Sequence, residues 1–203
     1  MRIKGVATGL LVLTTIGVTA CSKPPAEAIQ AGSAALEEAK SAGAETYATA
    51  ELQKAQDLLN RAEAEKKVQD EKFALLRSYD ETAKLYVQAK AELDAAAQAA
   101  AAGKEQARAE ATQAVEAART ALAAAGDAVA NAPKSKDSKA DLELWANDLA
   151  TYSTTLTEAE SAIASEDFAG AKAKADGVTD KANEISGSIQ AAIEKVNAAA
   201  GRT

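Results

Sequence analysis

From Phe73 onward the small and apolar side chains fall at steps of three and four. The series reads Leu76, Tyr79, Ala83, Tyr86, Lys90, Leu93, Ala97, Ala100, Lys104, Ala107 and Ala111. After one stutter it continues through Val115, Ala118, Leu122, Ala125 and Val129. That spacing holds residues on one face of an α-helix, whereas a strand needs strict alternation. It predicts one helix from about residue 71 to 131, roughly 90 Å long at 1.5 Å per residue. Gly103 costs about 1 kcal/mol relative to Ala without shifting the register, and a break there is the competing reading. Asn131-Ala132-Pro133 ends the helix, because proline cannot continue it. Lys90 and Lys104 interrupt the seam. Lysines there either set the register or choice of a helical partner, or lie where the helix has no partner.

The flanking segments read as helices too. A first helix spans about 26 to 42, with Pro25 at its start and Gly43 interrupting after it. A second spans about 48 to 67, with Leu52, Ala55, Leu59 and Ala62 as its stripe. The polar run from Lys66 to Glu71 reads as a tight reversal, or as more helix, since it lacks Gly and Pro. Beyond the polar loop 134–139, Asp137 or Ser138 is placed to cap the next helix. That helix carries Leu142, Trp145, Leu149, Tyr152, Leu156, Ala159 and Ile163. After Ser165-Glu166-Asp167 comes a second heptad of Phe168, Ala171, Ala175, Val178, Ala182, Ile185, Ile189, Ala192 and Val196. Two such helices joined by a short turn predict an antiparallel hairpin over 138–199.

The predicted fold class is all-α: an elongated antiparallel helical bundle of coiled-coil hairpins with one long central helix. Ala, Glu, Lys, Leu and Arg make up just over half of the chain, and aromatic residues only 3%. A core made mainly of Ala is thin. At roughly 25 cal/mol per Å² of buried apolar surface, each alanine contributes little, so length has to compensate.

The start of the chain has a different character. Arg2 and Lys4 precede an apolar run, Gly5–Val18, too short to span a bilayer comfortably. Then comes Val18-Thr19-Ala20-Cys21. This resembles the lipobox of bacterial prolipoproteins: an aliphatic residue, a small one, Ala or Gly, then Cys. The resemblance implies cleavage after Ala20, a diacylglyceryl thioether on Cys21 and acylation of the new amino terminus. A secreted protein with a cysteine beside its cleavage site is the competing reading. Cys21 is the only cysteine, so no intramolecular disulfide can form. Acyl chains at about 0.8 kcal/mol per buried CH₂ make a stable anchor. Ser22, where an Asp resembles an inner-membrane retention signal, points to the periplasmic face of the outer membrane. The organisation expected is a leader over 1–20, a lipidated Cys and proline spacer over 21–25, an N-terminal helical region over 26–132 and the hairpin over 138–199.

A second resemblance covers about residues 27–100. Ala42-Gly43-Ala44-Glu45-Thr46-Tyr47-Ala48-Thr49-Ala50-Glu51-Leu52, followed by Ala55, Leu58, Ala62 and the Phe73 helix, looks like an uncharacterised family of helical cell-envelope lipoproteins. Ala48-Thr49-Ala50-Glu51 stands where that family opens with Ala-Pro-x-Glu. The resemblance implies an envelope location and no known activity.

Charge and residue types narrow the functions. The net charge is −7; the leader contributes Arg2 and Lys4 and no acid, so −7 − 2 leaves −9 for the rest. That balance argues against nucleic acid and against electrostatic adhesion to anionic lipid. Histidine is absent, which removes the usual general base and the commonest metal ligand. No phosphate-binding glycine loop occurs, and the carboxylate pairs read as solvated surface. The reading is therefore not an enzyme, with no cofactor, no metal site and no evident small-molecule substrate. Expected partners are the membrane through Cys21, and an envelope protein, peptidoglycan or further copies of the chain. The function expected is a structural or interaction lipoprotein of the envelope. The alternative is a periplasmic adaptor or chaperone-like module gripping an apolar or protein ligand between helices. Trp145, Tyr86 and Lys90 are the residues singled out for partner binding.

Overall fold

The computed structural model describes residues 23–133, 138–199 and 201. The leader, Cys21 and Asp137 lie outside the described residues. Every long element described is helical: α1 (Ala26–Ser41), α2 (Ala44–Tyr47), α3 (Thr49–Glu71), α4 (Asp80–Asn131), α5 (Lys139–Ala164) and α6 (Phe168–Ala199). The all-α bundle with a long central helix expected from the periodicity is what forms. Helix α4 is continuous for 52 residues and passes through Gly103 without a break. The chain divides into two compact units within α4, after Ala100, so each unit takes one part of that helix.

In the first unit, α1 starts behind Pro25, with Glu27 in its first turn and Lys40 in its last, both favourable to the helix dipole. It stops at Gly43, whose φ of 87° lies in the left-handed region that glycine occupies without strain. Ala48 then leaves helical geometry for one residue before α3 begins. Ala28 and Ile29 of α1 pack with Leu58, Leu59 and Ala62 of α3 and with Leu85 and Tyr86 of α4. Ala35 and Ala39 meet Ala44, Ala48, Leu52 and Ala55, together with Leu93, Ala96 and Ala100. These pairings make α1 antiparallel to α3 and α3 antiparallel to α4. Alanine at most contact positions lets the helix axes come close.

The reversal between α3 and α4 departs from the sequence reading. The run Lys66–Glu71 is helix, the second of the two readings, but α4 begins at Asp80, not near residue 71. The turn occupies 72–79 and contains a single 3-10 turn, Ala74–Leu76. It needs no Gly or Pro because side chains satisfy its backbone. Arg77 donates from Nη2 to the Asp70 carbonyl and from Nε to the Lys72 carbonyl, both at 2.9 Å, covering open acceptors at the end of α3. The buried Gln69 accepts the Ser78 amide at Oε1, 3.1 Å away, and donates from Nε2 to Glu65 at 2.6 Å. The Tyr79 hydroxyl donates to Asp70 Oδ1 at 2.6 Å, and Lys66 donates to Asp70 Oδ2 at 2.7 Å. The frame pins the turn, yet Phe73, Leu75 and Leu76 stay 70%, 86% and 73% exposed.

That shift also moves the seam. The buried residues of α4 in this unit are Thr82, Leu85, Tyr86, Ala89, Leu93, Ala96 and Ala100. Ala83, Lys90 and Ala97 fall beside the stripe, and Leu76 lies outside it, in the turn.

The second unit contains the rest of α4 with α5 and α6. Ala114, Val115 and Ala118 pack against Leu156 and Ala159 of α5 and Ala175 and Val178 of α6. Further along, Ala125 and Ala132 pack with Ala182, Ile185 and Ile189, and with the half-buried Leu142, Trp145 and Leu149. The predicted α5–α6 hairpin forms with its two heptads facing, except that Ala192 and Val196 at the end are exposed. Its turn sets Glu166 at φ 64°, a left-handed conformation costing a non-glycine residue roughly 1 kcal/mol. Lys104 binds the Glu166 carboxylate at 2.7 Å, and Arg119 binds Glu160 at 2.6 Å, so ion pairs tie α4 to the hairpin.

Candidate functional site

Trp145, singled out for binding, lines a cavity. It reaches that place by heptad position. Leu142 and Trp145 face inward from the first turns of α5, where they meet the end of α4 and the last turns of α6. The cavity, about 90 Å³, is bordered by Pro133, Leu142, Trp145, Ile189, Ile193 and Val196. Ser138 and Asp141 supply its polar edge. The Ser138 hydroxyl donates to the Pro133 carbonyl at 2.9 Å, closing one side. Ser138 does stand at the start of α5, but its hydroxyl makes no capping bond to that helix.

The chemistry of this niche is simple. Its walls are mainly aliphatic and aromatic, with Ser138 and Asp141 at the edge. Ligand sites for drug-sized molecules run to several hundred Å³, so this one is too small for them. It is the right size for one branched side chain or a short alkyl segment. Val196 is half exposed at its mouth, so the site opens to solvent there.

The other two residues lie in the first unit and form no site with one another. Tyr86 is buried at 4% exposure, its ring against Gly32 and its neighbours Leu58, Leu59 and Ala62. Burial first, and then the Glu63 carboxylate, raise its phenol above the ordinary value. It is a core residue. Lys90 does not interrupt the seam. Its neighbour Ala89 holds the buried position, and Lys90 points to solvent, bound to Asp94 at 2.6 Å one turn away. Lys104 likewise sits at the rim, on Glu166.

Among the described residues no group of His, Cys, Asp and Glu is arranged to hold a metal ion. No helix among them is long and apolar enough to cross a membrane. Periodicity missed the exposed cluster of Phe73, Leu75 and Leu76: it put Phe73 and Leu76 at the start of a helix seam and gave Leu75 no place. One signal was available: Phe73-Ala74-Leu75-Leu76 puts three large apolar residues within four positions, which no single helix face can bury. Compared with known protein families, characterised proteins and solved structures, the chain finds no match.

Proposed function

We propose that this chain is a lipoprotein of the bacterial cell envelope, cut after Ala20 and anchored by acyl chains on Cys21, with a structural or protein-interaction role and no catalysis. The observation that carries the reading is Val18-Thr19-Ala20-Cys21 at the end of a basic, then apolar, leader. Ser22 favours the outer membrane, facing the periplasm. An alanine-seamed helical bundle with a solvated, mixed-charge surface suits a spacer or docking scaffold, whose partners are envelope proteins, peptidoglycan or its own copies. The test is the mass of the amino-terminal peptide from cells, with membrane fractionation. The wild-type peptide should begin at Cys21 and carry acyl groups. Cys21→Ala should lose the acyl mass and stay unprocessed. An unmodified Cys21 in processed wild-type protein would refute the anchor.

A second reading is favoured by the Trp145 niche: an adaptor that accepts an apolar side chain of a partner at the end of the second unit. A photoreactive residue at Trp145, with Lys90 as the solvent-facing comparison, tests it in intact cells. Recurrent adducts to one protein from position 145 and not from position 90 support an adaptor. Self-adducts alone, or none, leave the spacer role.

A further inference from the structure

The exposed turn between α3 and α4 lies at the same end of the first unit as the start of α1. Ala28 and Ile29, in the first turn of α1, pack beside Ala62 of α3 and Tyr86 of α4. From Ala62 helix α3 runs nine more residues to Glu71, about 14 Å at 1.5 Å per residue. From Ala28 helix α1 runs back only two residues to Ala26, about 3 Å. The turn therefore projects about 10 Å beyond the start of α1, at the same end of the unit. Cys21 precedes Ala26 by five residues, whose greatest reach is about 17 Å. A membrane holding Cys21 lies within reach of the tip of this turn.

The tip suits that neighbour. Phe73, Leu75 and Leu76 are among the most exposed large apolar residues described, and half-exposed Val68 stands one turn below them. Exposed apolar clusters of this kind mark contact with a partner or a membrane. They do not arise from a slack loop, because Arg77, Gln69 and Tyr79 hold the backbone at both ends. Between residues 65 and 81 four bases stand against five acids. The rim is close to neutral, so it neither strongly attracts nor repels charged lipid.

We propose that Phe73, Leu75 and Leu76 insert into the interface of the bilayer that carries the acylated Cys21, giving the first unit a second membrane contact and a defined stance. The proposal rests on the anchoring reading above. Insertion is shallow: one turn of side chains enters, and the Lys72 and Arg77 side chains stay with the headgroups.

The test uses the full chain, made with its leader and reconstituted into phosphatidylcholine vesicles. An environment-sensitive probe goes on Ala74→Cys in one preparation and, as a comparison at the far end of the unit, on Glu45→Cys in another. The mass of the amino-terminal peptide reports acylation separately. The expected result is blue-shifted emission from position 74, quenched by headgroup-level lipid quenchers and shielded from aqueous ones, with position 45 remaining aqueous. Replacing Phe73, Leu75 and Leu76 by Ser should abolish the shift while the helical circular dichroism is retained. Substituting anionic lipid for part of the phosphatidylcholine should leave the shift unchanged. An acylated protein whose two probes behave alike overturns the insertion and leaves the anchor standing. A shift that grows with the protein-to-lipid ratio points to a second copy covering the tip, and also overturns it. A missing acyl mass on Cys21 overturns the anchor, and the proposal with it.

Discussion

Gly32 on α1 faces the ring of Tyr86 on α4 so closely that a Cβ there would lie 3.2 Å from Tyr86 Cδ1 and 3.4 Å from Leu59 Cδ2. A missing side chain thus makes room for an aromatic ring, and α1 seats onto the α3–α4 pair because of it. Alanine would gain about 1 kcal/mol in helix propensity and lose a similar amount to the tight contact. Gly32→Leu cannot be accommodated and should cost about 2–3 kcal/mol. Urea denaturation of the two variants checks this. Equal midpoints for Gly32→Leu and wild type would show that the helices do not meet there.

Thr82 is fully buried in the first unit, and its hydroxyl has no hydrogen-bond partner among the described residues. An unpaired buried hydroxyl is destabilising, and valine has nearly the same shape without it. Thr82→Val should raise stability by about 1 kcal/mol, read as a higher thermal midpoint. A lower midpoint would mean that the hydroxyl is bonded in solution, to water or to a moved backbone carbonyl.

Ile185 lies at 5% exposure in the second unit, among Ala125, Ala182 and Ile189. Ile185→Asp places a charge there with nothing to pair it and should cost about 3–5 kcal/mol. Circular dichroism melting reports the loss, and the Trp145 fluorescence, from the same cluster, should shift to the red. An unchanged melt would mean that the α6 register is wrong.

The turn frame should respond to pH at both extremes. The hydrogen bond from Lys66, and then that from Tyr79, hold the Asp70 carboxyl below the ordinary 3.8. A depressed carboxyl contributes stability that is complete above its unfolded value and lost as the pH falls through the folded one. The Asp70 contribution is therefore present above about pH 4 and fades below it. Tyr79 runs the other way. Its bond to Asp70 raises the phenol above 10.0, so its contribution is present below that pH and lost as the phenol ionises above it. The protection factor of the Ser78 amide, which is its exchange rate relative to the free amide at the same pH, should stay high between these limits and fall outside them. In Tyr79→Phe the alkaline change should shrink to the part carried by Lys66, whose bond to Asp70 raises its ammonium above the ordinary 10.5, while the acid change through Lys66 remains. A protection factor that ignores pH in the wild type would dissolve the frame.

The sequence by itself determined the helical class, the hairpin of α5 and α6, and the end of α4 just before Pro133. Those follow from local rules: alternating steps of three and four, a scarcity of helix breakers, and alanine at most seam positions. It placed Trp145 correctly on an inward face for the same reason. The tertiary structure decided the rest. Whether Ala89 or Lys90 is buried turns on about 100° of helix rotation, and in an alanine-rich stretch several faces are equally apolar. Packing against α1 and α3 chose the face. The position of the reversal at 72–79 was not legible because it is fixed by side-chain bonds across seven to nine residues, Arg77 to the carbonyl of Asp70 and the Ser78 amide to Gln69, and not by Gly or Pro. Phe73 and Leu76 fit the helix seam by spacing, and only the folded turn left them, with Leu75, exposed.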